Sequence, residues 1–165
     1  VKIVRKALIS DAEPILKVQN QGWLDTFQTI IGTEKVKAIV QKRTVQEWQK
    51  ILQSTNTITY VIENNERQVV GFAGCGPKRE SMDGFPGEIY GLYVLKAYHR
   101  TGCGKALFQA SADYLKSRNL IPFAICTFSD NPACRFYEKM GGSIIKTCPS
   151  PFDSRILDSW YGFKI

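Results

Sequence analysis

The chain has 165 residues, 44% of them hydrophobic, and a formal charge of +7. That is enough apolar material for one domain with its own core, expected over residues 1–165. No stretch of about eighteen apolar residues is available to cross a membrane, and no basic-then-apolar leader opens the chain. A cytoplasmic protein without a membrane partner is therefore the expectation. The five cysteines, at positions 75, 103, 126, 134 and 148, contain no C-x-x-C pair, and His99 is the one histidine. No metal site is expected from such scattered ligands; buried free thiols are. Cys103 stands apart, because a helix N-terminus at that position would lower a thiol pKa. The positive charge favours anionic ligands in general. Lys35, Lys37, Lys42, Arg43 and Lys50 fall in one helical stretch as a solvated face, and no nucleic-acid signature accompanies them, so nucleic acid is not the expected partner.

In chain order, residues 1–7 alternate as a first strand. Ser10-Asp11-Ala12-Glu13 reads as a capping box in which Ser10 accepts from the amide of Glu13. Pro14 sits in the first turn, where its missing N–H costs little. The helix carries Ile15, Leu16, Val18, Trp23, Leu24 and Phe27 up to a break at Ile31-Gly32. A second helix is predicted over 33–52, burying Val36, Ile39, Val40 and Trp48. Strands at 57–63 and 68–76 are joined by the polar hairpin loop Asn64-Asn65-Glu66-Arg67. A polar loop over 79–87 leads to a central strand at 88–95, followed by a helix over 102–119. Residues 121–128 are almost wholly apolar, as in a strand covered on both faces. Asn131 is a good N-cap and Pro132 a good first helical residue, and Gly141-Gly142 end that helix with a left-handed turn. Two last strands, 142–148 and 156–165, flank Pro149-Ser150-Pro151. The order β-α-α-β-β-β-α-β-α-β-β is that of a mixed α/β sheet.

Chemistry concentrates between residues 88 and 142. After the central strand, His99-Arg100-Thr101-Gly102-Cys103-Gly104-Lys105 opens a helix. The first N–H groups of a helix lack internal partners, and the helix dipole favours an anion there. Glycine at 102 and 104 lets phosphate oxygens approach the backbone, and Arg100 and Lys105 add cations at the rim. A P-loop needs glycine five positions before Gly104 and a hydroxyl after Lys105, where this chain has His99 and Ala106. A dinucleotide fingerprint needs glycine where Leu107 stands. Phosphate binding beside a placed tyrosine, Tyr137, points to a cofactor-using enzyme rather than a scaffold.

These residues resemble the GNAT superfamily of acyl-coenzyme A-dependent N-acetyltransferases. The family pattern Gln/Arg-x-x-Gly-x-Gly/Ala is met by His99-Arg100-Thr101-Gly102-Cys103-Gly104, with histidine at its first position. The pattern Asn-x-x-Ala-x-x-Phe-Tyr is approached by Asn131-Pro132-Ala133-Cys134-Arg135-Phe136-Tyr137. The resemblance implies a mixed, mostly antiparallel central sheet flanked by helices, and acetyl transfer from acetyl-coenzyme A to a primary amine by direct attack in a ternary complex, with no metal. It implies that Leu92, Tyr93 and Val94 pair with the pantetheine arm, Leu92 offering its N–H to the oxyanion. Arg100, Thr101, Gly102, Cys103, Gly104 and Lys105 would hold the pyrophosphate, and Asn131 would touch the cofactor. It makes Tyr137 the general acid and Glu88 a base acting through water, a desolvated carboxylate being suited to that work. Trp23, Asp25, Phe27, Tyr90, Trp160 and Tyr161 are candidate walls for the acceptor, a small-molecule or protein amine. A homodimer is compatible with the resemblance. The competing readings are a non-catalytic coenzyme A-binding module and a basic nucleic-acid-binding domain.

Overall fold

In a computed structural model, which describes residues 2–165, seven strands build one sheet. They are β1 (Ile3–Lys6), β2 (Ile58–Glu63), β3 (Val69–Pro77), β4 (Gly87–Val94), β5 (Phe123–Phe128), β6 (Ser143–Pro149) and β7 (Leu157–Phe163). Val1, the start of the predicted first strand, lies outside the described residues. The order across the sheet is β1-β2-β3-β4-β5-β7-β6, and every neighbouring pair is antiparallel except β4 and β5. The mixed α/β sheet expected from the order of elements forms, and it is mostly antiparallel, as the resemblance implies.

Alternation in the strands divides the core into two faces. On one, Ala12, Ile15 and Val18 of α1 (Ala12–Gly22) and Trp48 of α4 (Val45–Gln53) pack against Val61 and Phe72. On the other, Leu107, Phe108, Ala112 and Leu115 of α5 (Cys103–Ser117) cover Ile62, Ala73, Ile89, Phe123 and Ile125. Leu107 and Leu115 are fully buried, each contributing about 1.5–3 kcal/mol. The first helix does not run uniformly. It passes through a π-helical turn, Trp23–Phe27, into α2 (Gln28–Ile31), and that wider turn puts both Trp23 and Phe27 on the buried side.

Three local expectations are corrected. Ser10 is exposed in a 3₁₀ turn, Ile9–Asp11, and does not cap. Asp11 closes the turn instead, its Oδ2 accepting from the N–H of Leu8 at 2.7 Å. A carboxylate outcompetes the hydroxyl because the guanidinium of Arg5 on β1 fixes both of its oxygens. The predicted helix over 33–52 is two helices, α3 (Thr33–Lys42) and α4, separated at Arg43 and Thr44, both in extended conformation. Thr44 and Glu47 form the capping box that starts α4. The helix after Asn131 is shorter than expected: α6 spans Cys134–Lys139. Its predicted end holds, with Gly141 at φ 99° and the N–H of Gly142 donating to Tyr137 O.

Strands β4 and β5 diverge. Their register pairs are Gly87 with Phe123 and Glu88 with Ala124, and nothing beyond. Gly87 permits this one close approach, since a Cβ there would collide with the carbonyl of Leu120. Past residue 88 the two strands leave a gap between them, and the site lies there.

Candidate active site

The main chain of β4 presents a free edge to the gap. Leu95 donates its N–H to Val70 O at 2.9 Å, so by antiparallel alternation Tyr93 bonds to Phe72 on β3 while Leu92 and Val94 face the other way. Tyr90 is an extra residue on β4, opposite the step from Gly74 to Cys75, and such a bulge increases local twist where the strands part. Tyr93 thus departs from its expected role at the gap. Its main chain is committed to β3, and its ring stacks on Phe72 while its hydroxyl accepts from Trp23 Nε1. Val94 is half committed, because its carbonyl accepts from His99 Nε2 at 2.8 Å. A carbonyl only accepts, so the proton of that imidazole is on Nε2. Leu92 keeps both its N–H and its C=O toward the gap.

At the head of the gap, the turn over 99–102 delivers the chain into α5. Among the described residues, none of the six N–H groups of residues 100–105 donates to a protein acceptor; the first bond of this segment is Ala106 N–H to Gly102 O. Gly102 makes the geometry possible at φ 89°, a left-handed conformation that L side chains rarely adopt. The turn is not filled by its own side chains. The hydroxyl of Thr101 turns back to Tyr98 O, and Lys2 Nζ holds the Thr101 carbonyl. Arg100 and Lys105 both line the cleft. The side chain of Cys103 differs from expectation. It is fully buried among Ile62, Val70, Ala73 and Leu107, so this residue offers the loop its N–H and not a reactive thiol.

Tyr137 lies on α6 across the gap from Leu92. Its ring is buried, and its hydroxyl makes no hydrogen bond among the described residues, although the residue lines the cleft. Burial pushes this phenol well above its usual range, with Tyr93, Cys134 and Cys126 adding to the effect. Asn131 spends both ends of its amide locally: Oδ1 accepts from the N–H of Ala133 and Nδ2 donates to Thr127 Oγ1. It shapes the start of α6 at the cleft wall.

Glu88 is brought to the cleft but is not the free carboxylate that base work requires. It is 0% exposed. Its Oε2 accepts from Nε and Nη2 of Arg79, and its Oε1 accepts from the N–H of Arg79 and lies 3.5 Å from Lys78 Nζ. Arg79 also lies over the Tyr90 ring, whose hydroxyl donates to Pro77 O. Burial, with Glu88 next, pushes that phenol up to about 12. Trp23 and Phe27 do line the cleft, edge to face with each other and with Phe128. Of the last two candidates, Trp160 lines the cleft beneath Lys78 Nζ at 3.9 Å, whereas Tyr161 points to the opposite face and donates to Glu138.

The whole cleft measures about 2440 Å³ and runs from Lys105 to Trp160. That exceeds the roughly 300–1,000 Å³ of a pocket for one small molecule. Sequence reasoning missed three of its residues. Lys78 and Arg79 carried no signal beyond being two cations after a strand. Asp158 could have been found by alternation, because it shares a strand face with Trp160.

The family model described as "Acetyltransferase (GNAT) family" matches residues 23–142, and the chain belongs to that family. It is an acetyltransferase. It is 29% identical over 135 residues to the uncharacterized N-acetyltransferase YuaI of Bacillus subtilis (strain 168), an alignment covering 82% of this chain and 76% of that one. The fold is similar to that of the PaiA N-acetyltransferase from Thermoplasma acidophilum in complex with coenzyme A, with a TM-score of 0.80, 16% identity and 99% of each chain covered. It is also similar to the ribosomal-protein-alanine N-acetyltransferase from Brucella melitensis, with a TM-score of 0.77, 19% identity and 99% of each chain covered.

Proposed function

We propose that this enzyme transfers the acetyl group of acetyl-coenzyme A to a primary amine, on a small molecule or a protein, by direct attack with both substrates bound. The observation that carries the reading is the row of six N–H groups over residues 100–105 that have no acceptor among the described residues, beside the free edge of β4. Main-chain donors at a helix N-terminus suit a pyrophosphate, and the geometry needs no side chain to move aside. Arg100 and Lys105 add charge at the rim. The free N–H and C=O of Leu92 suit the amide groups of the pantetheine arm, which pairs there as an added strand does. A coenzyme A-bound relative of the same fold is consistent with this.

Two requirements of the reaction then fall to residues of this chain. The N–H of Leu92 supports the oxyanion of the tetrahedral intermediate. Tyr137, with no competing partner for its hydroxyl, donates toward the departing sulfur. Glu88, saturated by Arg79 and Lys78, acts as an anchor that fixes those two cations at the acceptor end.

A thiol-release assay with acetyl-coenzyme A against a panel of primary amines, with mass spectrometry of the products, tests the proposal. A mass gain of one acetyl group on at least one amine, together with saturable binding heat for acetyl-coenzyme A, is the expected result. Tight coenzyme A binding with no acylated product across the panel would favour a non-catalytic module, and absence of binding heat would overturn the cofactor assignment itself.

A further inference from the structure

Among the described residues, one buried carboxylate in the cleft is left without a counter-ion. Among the described residues the buried carboxylates are Asp11, Glu63, Glu88 and Asp158. The first two share Arg5, and Glu88 holds Arg79 and Lys78. Asp158, only 7% exposed, takes part in no ion pair. Among the described residues its Oδ1 is buried with no hydrogen-bond partner, and the carboxylate has only neutral donors, the weak thiol of Cys126 at 3.7 Å from Oδ2 and the hydroxyl of Ser150. An isolated buried anion is costly unless a cation joins it.

The place of Asp158 suits an incoming cation. It stands opposite Phe128 in the β5–β7 register, while Trp160 stands opposite Cys126, so these four side chains share one face of the sheet and all line the cleft. Phe128 in turn meets the rings of Trp23, Phe27 and Phe152. Trp160 already carries a cation on its face in Lys78. The wall is therefore apolar and aromatic, with a single unbalanced acid set into it. Cys126, in contact with Asp158, and Tyr137 line the same cleft.

We propose that Asp158 binds the ammonium of the acceptor and takes its proton, which makes the substrate a primary amine carried on an apolar stem. This rests on the acetyl-transfer reading above and assigns its acceptor end. The carboxylate receives one proton from R–NH3+, giving a carboxylic acid and a neutral amine. The nitrogen lone pair forms the C–N bond at the thioester carbonyl, and the C–S bond then breaks. Tyr137 gives its proton to the sulfur and regains one from the nitrogen, and Asp158 releases its proton to solvent. The sum is amide, free thiol and one proton. Burial raises the affinity of Asp158 for a proton above that of an ordinary carboxylate, with Ser150 and Cys126 opposing, which suits a base working near neutral pH. The other ionisable groups that line this part of the cleft are Cys126 on β5 and Asp130 beyond it, Cys148 opposite Asp158 on β6, Lys146 on β6, Tyr137 on α6, Asp25 in the π-helical turn, Arg43 over the Trp23 ring, Glu80, Tyr90 and Tyr93, and the Glu88–Lys78–Arg79 cluster. Burial also keeps Cys126 protonated.

The test compares the wild type with Asp158→Asn and Asp158→Glu, using benzylamine and hexylamine as probes. The asparagine variant is expected to lose about 100-fold in kcat/KM at pH 7, while its calorimetric Kd for coenzyme A stays within about twofold. Its rate should climb about tenfold per pH unit below the amine pKa, because only free amine now reacts, whereas the wild-type rate stays flat there. Asp158→Glu should recover part of the activity. The asparagine variant should melt no lower than wild type, since an unpaired buried acid has been removed. An asparagine variant with wild-type kcat/KM, or with a parallel pH profile, overturns this inference alone. A wild type that binds acetyl-coenzyme A yet acetylates no amine overturns the transferase reading and this inference together.

Discussion

In the proposed reaction Tyr137 is the acid, and its burial works against that role. Desolvation holds its proton more tightly than water would, yet the same dry gap raises the basicity of the thiolate it must serve. The two shifts run in one direction, so the proton match between phenol and thiolate survives. What the burial adds to the proposed step is a hydroxyl that keeps its proton more firmly than in water, with no acceptor among the described residues to divert it. Tyr137→Phe should therefore lower kcat by about 10²–10³-fold. The Kd for coenzyme A should be unchanged, because the ring keeps its packing against Phe136 and Tyr161. Steady-state kinetics with calorimetry on the same preparation decide it: an equal loss of affinity would mean that the hydroxyl only shapes the pocket.

Among the elements, the turn into α5 carries the proposed phosphate site in the fewest residues, and it uses two left-handed residues, Arg100 at φ 59° and Gly102 at φ 89°. Of the two, Gly102 is the one at the start of α5, where the N–H groups of residues 100–105 have no acceptor among the described residues. Nothing lies within 4 Å of where a Cβ would sit, so Gly102→Ala tests the angle and not a clash. It should destabilise the fold by about 1–2 kcal/mol through left-handed strain and weaken coenzyme A binding about tenfold as the turn relaxes, measured by denaturant unfolding and calorimetry. This turn was legible in the sequence because its signals are local, a strand end followed by two glycines. The run from Asn131 to Tyr137 was legible only in part: Asn131 holds the turn at Ala133, and the helix begins at Cys134. The acceptor end was not. The partners of Glu88 depend on how the loop between β3 and β4 folds back nine residues, and residue spacing carries no trace of that. The capping box Thr44-x-x-Glu47 was present in the sequence, but the apolar periodicity running through it suggested one continuous helix. Asp158 and Tyr161 were separable only by strand parity, once the face carrying Trp160 was known.

Across the whole molecule, the sheet places its two unusual sets of carboxylates at opposite ends, and they respond to acid with opposite sign. At the β1 edge, Arg5 donates to Asp11 and Glu63, tying the turn before α1 to β2. The hydrogen bonds from Arg5 hold both acids below the usual carboxylate range. A depressed folded pKa means that the unfolded chain binds more protons, so this stabilisation is present above the unfolded carboxylate range and lost as pH falls through the folded values. Asp158 is raised instead: its native state binds the extra proton, and its contribution declines as pH rises between the unfolded and folded values. Arg5→Ala leaves Asp11 unpaired and Glu63 with only Arg67 Nη1 at 3.4 Å, and should cost about 3 kcal/mol at pH 7. The deficit should shrink as pH drops, because the wild type loses its ion pairs there while the variant sheds one unpaired and one weakly paired charge. The Kd for coenzyme A should not move, since the cleft opens at β4 and β5, three strands from this edge. Urea unfolding of both proteins at pH 7 and pH 4, with calorimetry at pH 7, checks each part. A deficit that stays constant with pH would show that Arg5 stabilises by packing alone, and a parallel loss of affinity would show that the β1 edge and the cleft are one coupled unit.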